Sequence, residues 1–145
     1  MIYFDSSALV KRYIEEEGSK EVNKLLHGSE KAVTSRLAYP EILSAIIRRH
    51  RAGDIATSDC ERIKREFRVE GGCYTIIEVH GELFSIIDKL IEKHALRGAD
   101  SIHLSTALWL QQITKQDVLF AASDAELLKA ARAEKMKICN PQEYV

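Results

Sequence analysis

Short apolar runs alternate along this chain with longer stretches whose apolar residues recur every three or four positions. The runs are Ile2-Tyr3-Phe4, Ala32-Val33-Thr34, Cys73-Tyr74-Thr75-Ile76-Ile77, Asp117-Val118-Leu119-Phe120-Ala121-Ala122 and Lys137-Ile138-Cys139. Their shortness and β-prone content predict strands, and the near-continuous apolar character of the first predicts burial on both faces. Between them lie seven helical patterns. Ala8, Leu9, Val10 and Tyr13 mark the first, with Ser6 or Ser7 as cap, and Val22, Leu25 and Leu26 mark the second, capped by Ser19. The third starts at Ser35 and buries Leu37, Ile42, Leu43, Ile46 and Ile47, with Pro40 tolerated in its first turn. The fourth starts at Thr57 or Ser58 and ends at Gly71-Gly72, and the fifth carries Leu83, Ile86, Ile87, Leu90 and Ile91. The sixth starts at Asp100 and runs past Leu110, and the seventh spans Ala125 to Ala133 behind a capping box of Ser123 and Glu126. Strands alternating with helices predict an α/β domain over 1–145, a mainly parallel sheet of four to five strands covered by helices on both faces.

Composition narrows the function classes. With 145 residues, 46% hydrophobic and 30% charged, the chain can bury a substantial core and is not disordered. Its formal net charge is -1, so any nucleic-acid contact must come from a local basic patch. No apolar run reaches the length of a membrane span, and no basic-then-apolar leader precedes the first strand pattern, which predicts a cytoplasmic protein. Cys60, Cys73 and Cys139 are odd in number and widely spaced, which predicts reduced, buried thiols rather than a disulfide framework or zinc site.

The chemistry is expected among four acids. Asp5 and Asp124 directly follow short apolar strands, Asp100 starts a helix after Gly98-Ala99, and Glu41 lies in the first turn of an otherwise apolar helix. In a parallel sheet the carboxyl ends of strands converge on one side, where ligands bind. A helix N-terminus favours each carboxylate by only about 0.3–1 kcal/mol, which does not justify gathering several. A divalent cation does. All-oxygen donors select a hard ion, Mg²⁺ or Mn²⁺ rather than zinc. Such an ion polarises a phosphoryl oxygen, acidifies a bound water and stabilises a leaving oxygen, a combination suited to phosphodiester hydrolysis.

These landmarks, Ile2-Tyr3-Phe4-Asp5-Ser6-Ser7-Ala8-Leu9, Ala38-Tyr39-Pro40-Glu41-Ile42, Leu96-Arg97-Gly98-Ala99-Asp100-Ser101-Ile102-His103-Leu104 and Ser123-Asp124, span essentially the whole chain. Their order and spacing resemble the PIN domain family, and within it the VapC-type toxins of toxin–antitoxin pairs. The resemblance implies a PIN-like three-layer α/β/α sandwich and a Mg²⁺- or Mn²⁺-dependent endoribonuclease. It carries Asp5, Glu41, Asp100 and Asp124 over as the catalytic and metal-binding acids, with Ser6 and Ser123 as supporting hydroxyls. Ser123 stands where many relatives have Thr, and Glu126 is the nearest candidate for a further downstream acid. The resemblance also implies an RNA substrate, a cognate antitoxin and a homodimer. A PIN-type nuclease in RNA processing without an antitoxin and a non-catalytic PIN scaffold are the alternatives. A dehalogenase-like phosphatase would need an acid where Ser7 stands.

Other residues are weighed against plainer roles. His103, three positions after Asp100, shares its helix face and is expected to be a half-buried structural histidine rather than a ligand or base. Arg48, Arg49 and Arg51, with Arg65 on the next helix, could meet RNA phosphates or form a solvated or antitoxin-binding face. Tyr13, Tyr39 and Trp109 are expected in the core, whereas Val22, Leu25 and Ile47 are candidates for a protein interface.

Overall fold

The computed structural model describes residues 1–28 and 30–143. Five strands, β1 (Ile2–Phe4), β2 (Ala32–Ser35), β3 (Thr75–Ile77), β4 (Leu119–Ala121) and β5 (Lys137–Cys139), form one sheet in the order β3-β2-β1-β4-β5. Every neighbouring pair is parallel. The helices are α1 (Ser6–Leu9), α2 (Ser19–Leu26), α3 (Ala38–Arg51), α4 (Thr57–Glu70), α5 (Phe84–Lys93), α6 (Gly98–Thr114) and α7 (Ala125–Ala133). No helix among the described residues is long and apolar enough to cross a membrane.

Strand alternation divides the core into two layers. Ile2 and Phe4 face one side, where Leu9, Val22, Ile42, Ile46, Ile63 and Phe67 from α1 to α4 pack on them. Tyr3, Val33 and Phe120 belong to the other, with Leu90, Leu104, Leu110 and Leu127 from α5 to α7. Each layer closes one face of a sheet whose central strand is therefore apolar along its whole length. The three-layer sandwich expected from the alternation is the one observed.

Strand order reverses at β1. The chain runs outward from β1 to β2 and β3, then returns to place β4 on the opposite side. Connections leaving β1 and β4 diverge to opposite faces, opening a crevice beyond their carboxyl ends. Asp5 and Ser123-Asp124 leave the sheet there. The β1–β2 register stops at Tyr3 opposite Val33, and the Thr34 hydroxyl donates to the Phe4 carbonyl at 2.7 Å, tying down the residue that precedes Asp5.

Several local expectations are corrected. Asp5, not Ser6 or Ser7, caps α1, and Asp124, not Ser123, caps α7; each carboxylate accepts from the N–H three residues on. At these abrupt strand-to-helix turns the short Asp side chain reaches the free N–H groups directly, and its charge suits the helix N-terminus better than a hydroxyl does. Ser35 remains in β2, with its oxygen accepting from the Leu37 N–H at 3.1 Å, so α3 begins at Ala38. Ser19 is the first residue of α2 rather than its cap, and α6 begins at Gly98, putting Asp100 inside the first turn. Val22 is fully buried and Cys73 is exposed, because α2 turns Val22 to the sheet while Gly71–Cys73 forms a surface turn before β3. Tyr39 is exposed, stacked on Phe67 at 5.4 Å rather than sunk beneath it.

Replacing Thr34 by Val keeps the volume and removes the hydroxyl. We expect a loss of roughly 1–2 kcal/mol in urea unfolding with an unchanged m-value. An unchanged midpoint would show that the Phe4 carbonyl does not depend on this bond.

Candidate acidic site

Asp5 is the most buried of the four acids, at 4% exposure. Its Oδ1 accepts from the Ser7 hydroxyl at 2.7 Å and from the Ala8 N–H at 3.2 Å. The Ser7 hydroxyl oxygen in turn accepts from the Ser123 N–H at 2.9 Å. One serine thus couples the turn after β1 to the turn after β4 across the reversal of strand order. Burial pushes the Asp5 carboxyl up to about 6, against the pull of His103 and the bonds from Ser7 and Ala8; the charge of Asp100 adds to the rise.

Glu41 reaches the crevice from the first turn of α3. Its Oε1 accepts from the Ser6 hydroxyl at 2.6 Å and lies 2.6 Å from His103 Nε2. Burial works to raise this carboxyl, but His103, Ser6 and Arg97 together hold it below its ordinary value. His103 is 1% exposed, and its Nδ1 lies 2.8 Å from the hydroxyl of fully buried Tyr3. Nε2 facing a carboxylate is satisfied as the donor, leaving Nδ1 to accept from the phenol. The phenol remains protonated: burial first, then the charges of Asp5 and Glu41, push it well above its usual range. Tyr3, His103, Glu41 and Ser6 form a continuous path from the middle of β1 to the crevice.

Asp100 and Asp124 face each other across Arg97. Arg97 Nε donates to Asp100 Oδ2 at 3.2 Å, and its terminal nitrogen lies 3.7 Å from Asp124 Oδ2. Asp124 Oδ1 meanwhile accepts from the Leu127 N–H at 2.9 Å. Beside it the Ser123 hydroxyl is buried and, among the described residues, has no hydrogen-bond partner. Asp5, Glu41 and Asp124 each accept a hydrogen bond from their own surroundings, whereas Asp100 is paired with the exposed Arg97, which also reaches Asp124.

The PIN domain family profile matches residues 2–133. The chain belongs to the PIN domain family. This PIN domain is 35% identical over 108 residues to Ribonuclease VapC45 of Mycobacterium tuberculosis strain CDC 1551 / Oshkosh, covering 74% of this chain and 75% of that protein. It matches Ribonuclease VapC49 of strain ATCC 25618 / H37Rv to the same extent. Its fold is shared with FitAcB from Neisseria gonorrhoeae at a TM-score of 0.68 and 14% identity, covering 99% of each chain. It is also shared with VapBC2 from Rickettsia felis, solved bound to a DNA fragment from their promoter, at a TM-score of 0.67 and 12% identity over 97% of this chain and 98% of that one.

The oxygen-only donor set of this PIN domain suits a hard divalent cation, and the orphaned Ser123 hydroxyl adds a free oxygen at the same edge. Asp5, Glu41, Asp100 and Asp124 are the side chains that could hold it. Among the described residues, however, no three His, Cys, Asp or Glu groups are drawn close enough to bind an ion as they stand. Arg97 parts Asp100 from Asp124, and Glu41 leans toward His103. Sequence reasoning missed Ser7 as the link between the two turns. It placed His103 on the face of Asp100 but assigned it a structural role, because its partner Glu41 is 62 residues away in the chain. Arg97 lay inside a recognised motif without a role.

The basic residues lie elsewhere. Arg48, Arg49 and Arg51 occupy the C-terminal end of α3, roughly 10–15 Å along the axis from Glu41. Arg49 pairs with Glu16 at 3.4 Å and Asp54 at 3.1 Å, whereas Arg48, Arg51 and Arg65 are exposed and form no ion pair among the described residues.

The raised Asp5 carboxyl gives a pH-dependent stability with a definite sign. The folded state binds this proton more tightly than the unfolded chain, so stability falls as pH rises from about 4 to about 6 and stays reduced above. Asp5→Asn keeps an acceptor oxygen for Ser7 and Ala8 but carries no charge. We expect metal-free Asp5→Asn to be more stable than the parent by about 2–3 kcal/mol at pH 7.5, the gap closing toward pH 4. Urea unfolding at three pH values checks this; a variant that is less stable at pH 7.5 would show that the buried charge is fully compensated.

Proposed function

We propose that this PIN domain is a divalent-metal-dependent endoribonuclease, the toxin of a toxin–antitoxin pair. The observation that supports the reading is the placing of Asp5 and Asp124 at the strand ends where strand order reverses, with Arg97 pairing Asp124 to Asp100 and its charge felt by Glu41, in a chain whose relatives are named ribonucleases. Asp5 and Asp100 are the firmest ligands for Mg²⁺ or Mn²⁺, with Asp124 and Glu41 completing the acidic set. When bound there, such a cation supplies polarisation of a phosphoryl oxygen and a more acidic water.

The chain's own residues supply positioning. Ser7 holds Asp5 and the Ser123 turn in one register. His103 and Ser6 hold Glu41 ionised and pointed at the crevice, so it can accept a proton or a hydrogen bond from a water beside the scissile phosphate. The buried Ser123 hydroxyl has bonding capacity to spare for a phosphate oxygen. Arg48, Arg51 and Arg65 are candidates for phosphates away from the cut, since their charges are not already neutralised by paired acids.

An antitoxin partner and a homodimer belong to the same reading. The structural neighbours include a toxin–antitoxin complex from Klebsiella pneumoniae, at a TM-score of 0.65 and 14% identity over 97% of this chain. A PIN nuclease working without an antitoxin has the same chemistry and would differ only in lacking a tight-binding partner.

Purified protein incubated with a panel of labelled structured and single-stranded RNAs tests the activity. Cleavage is expected with Mg²⁺ and with Mn²⁺, to stop with EDTA, and to fall about 100-fold or more in Asp5→Asn once circular dichroism has matched its fold to the parent. Absence of cleavage together with absence of Mn²⁺ binding by calorimetry would overturn the nuclease in favour of a binding scaffold.

A further inference from the structure

Arg97 is the one lysine or arginine among the described residues within ion-pair reach of the acidic site. It sits immediately before α6 in extended conformation, and its side chain is 81% exposed. Its ion pairs are those to Asp100 and Asp124, on two different elements. A third acid, Glu41, feels the same charge. The guanidinium therefore lies between Asp100 and Asp124, two of the four acids that would hold a divalent cation.

We propose that Arg97 is a resident counter-ion with two positions. Without metal it bridges Asp100 and Asp124 and relieves their repulsion; with metal it is displaced and turns outward to bind a phosphate oxygen of the RNA. The inference rests on the metal-dependent nuclease reading and adds a residue to it. Exposed ion pairs of this geometry are weak, so an ion of twice the charge displaces them readily. Displacement does not remove the side chain from the site, because its backbone is three residues from Asp100 and fixed at the start of α6. A freed guanidinium presents a planar fork that matches two phosphate oxygens. The two positions are mutually exclusive, so the cation and the RNA phosphate reinforce one another: the cation frees the arginine, and the phosphate gives it a new partner.

The test compares the full chain with Arg97→Gln and Arg97→Lys, after circular dichroism confirms equal folding. Mn²⁺ is titrated calorimetrically without RNA. Arg97→Gln is expected to bind Mn²⁺ about tenfold more tightly than the parent, having lost the competing charge. Arg97→Lys, which keeps that charge, is expected to stay within about threefold of the parent. At saturating Mn²⁺, kcat/KM of Arg97→Gln for RNA is expected to fall by about tenfold, and its dependence on log salt to become shallower by roughly 0.7, one phosphate contact. Equal Mn²⁺ affinity in parent and Arg97→Gln, or undiminished cleavage by Arg97→Gln at saturating Mn²⁺, overturns the proposal while leaving the nuclease intact. Absence of Mn²⁺ binding in parent and variants alike overturns the metal-dependent reading and this inference with it.

Discussion

Asp5 carries a negative charge out of the end of a fully buried strand, and the rest of the site is organised around tolerating it. A lone ionised carboxylate removed from water is costly, and placing other carboxylates nearby makes it costlier. The fold answers each charge locally. Ser7 and the Ala8 N–H serve Asp5, Ser6 and His103 serve Glu41, the Leu127 N–H serves Asp124, and Arg97 serves Asp100 and Asp124 together. The compensation for Asp5 is incomplete, as its raised carboxyl shows. Residual strain of this kind is expected where a site is arranged for a ligand rather than for the stability of the empty protein.

Strand β1 controls more of the site than its three residues suggest. Its end delivers Asp5. Its middle residue, Tyr3, stacks on Phe120 of β4 at 5.6 Å and nearly parallel, and its hydroxyl meets His103. Glu41 is thus positioned from β1 as well, through the imidazole, although it belongs to a helix on the opposite layer. Asp5 follows β1 directly and Glu41 is tied to its middle through His103, so two acids from distant parts of the chain rest on one strand. Asp100 and Asp124 are held differently. Their common partner is an exposed side chain, so this half of the crevice can rearrange without disturbing the core.

What the sequence made legible follows from range. The five strands, the α/β alternation and the span of α7 are set by neighbours within a few residues, and each is visible in the hydrophobic pattern. The four acids were visible because each follows a local landmark, a strand end or a helix start. The caps were misplaced because Ser and Asp are both good N-caps, and only the geometry of the turn decides between Asp5 and Ser6 or between Asp124 and Ser123. Val22 looked available because a short amphipathic helix does not reveal how much of its apolar stripe the sheet covers. The partner of His103 and the role of Arg97 were not legible because Glu41 and Asp124 lie far along the chain from them. No periodicity reports a contact of that kind.

The separation of basic residues from acidic ones constrains how a nucleic acid could lie on this surface. The exposed Arg48 and Arg51 near the end of α3 are roughly 10–15 Å from Glu41 along a straight helix. A phosphate bound at Arg48 or Arg51 is therefore not the phosphate facing Asp5. Among the lysines and arginines of the described residues, Arg97 alone is in direct contact with the acidic crevice. In the function proposed above, recognition along the strand and contact at the reacting group would fall to different arginines, one set at the end of α3 and one just before α6. The first group would then change overall affinity with ionic strength, whereas the charge of Arg97 would be coupled to the occupancy of the crevice itself.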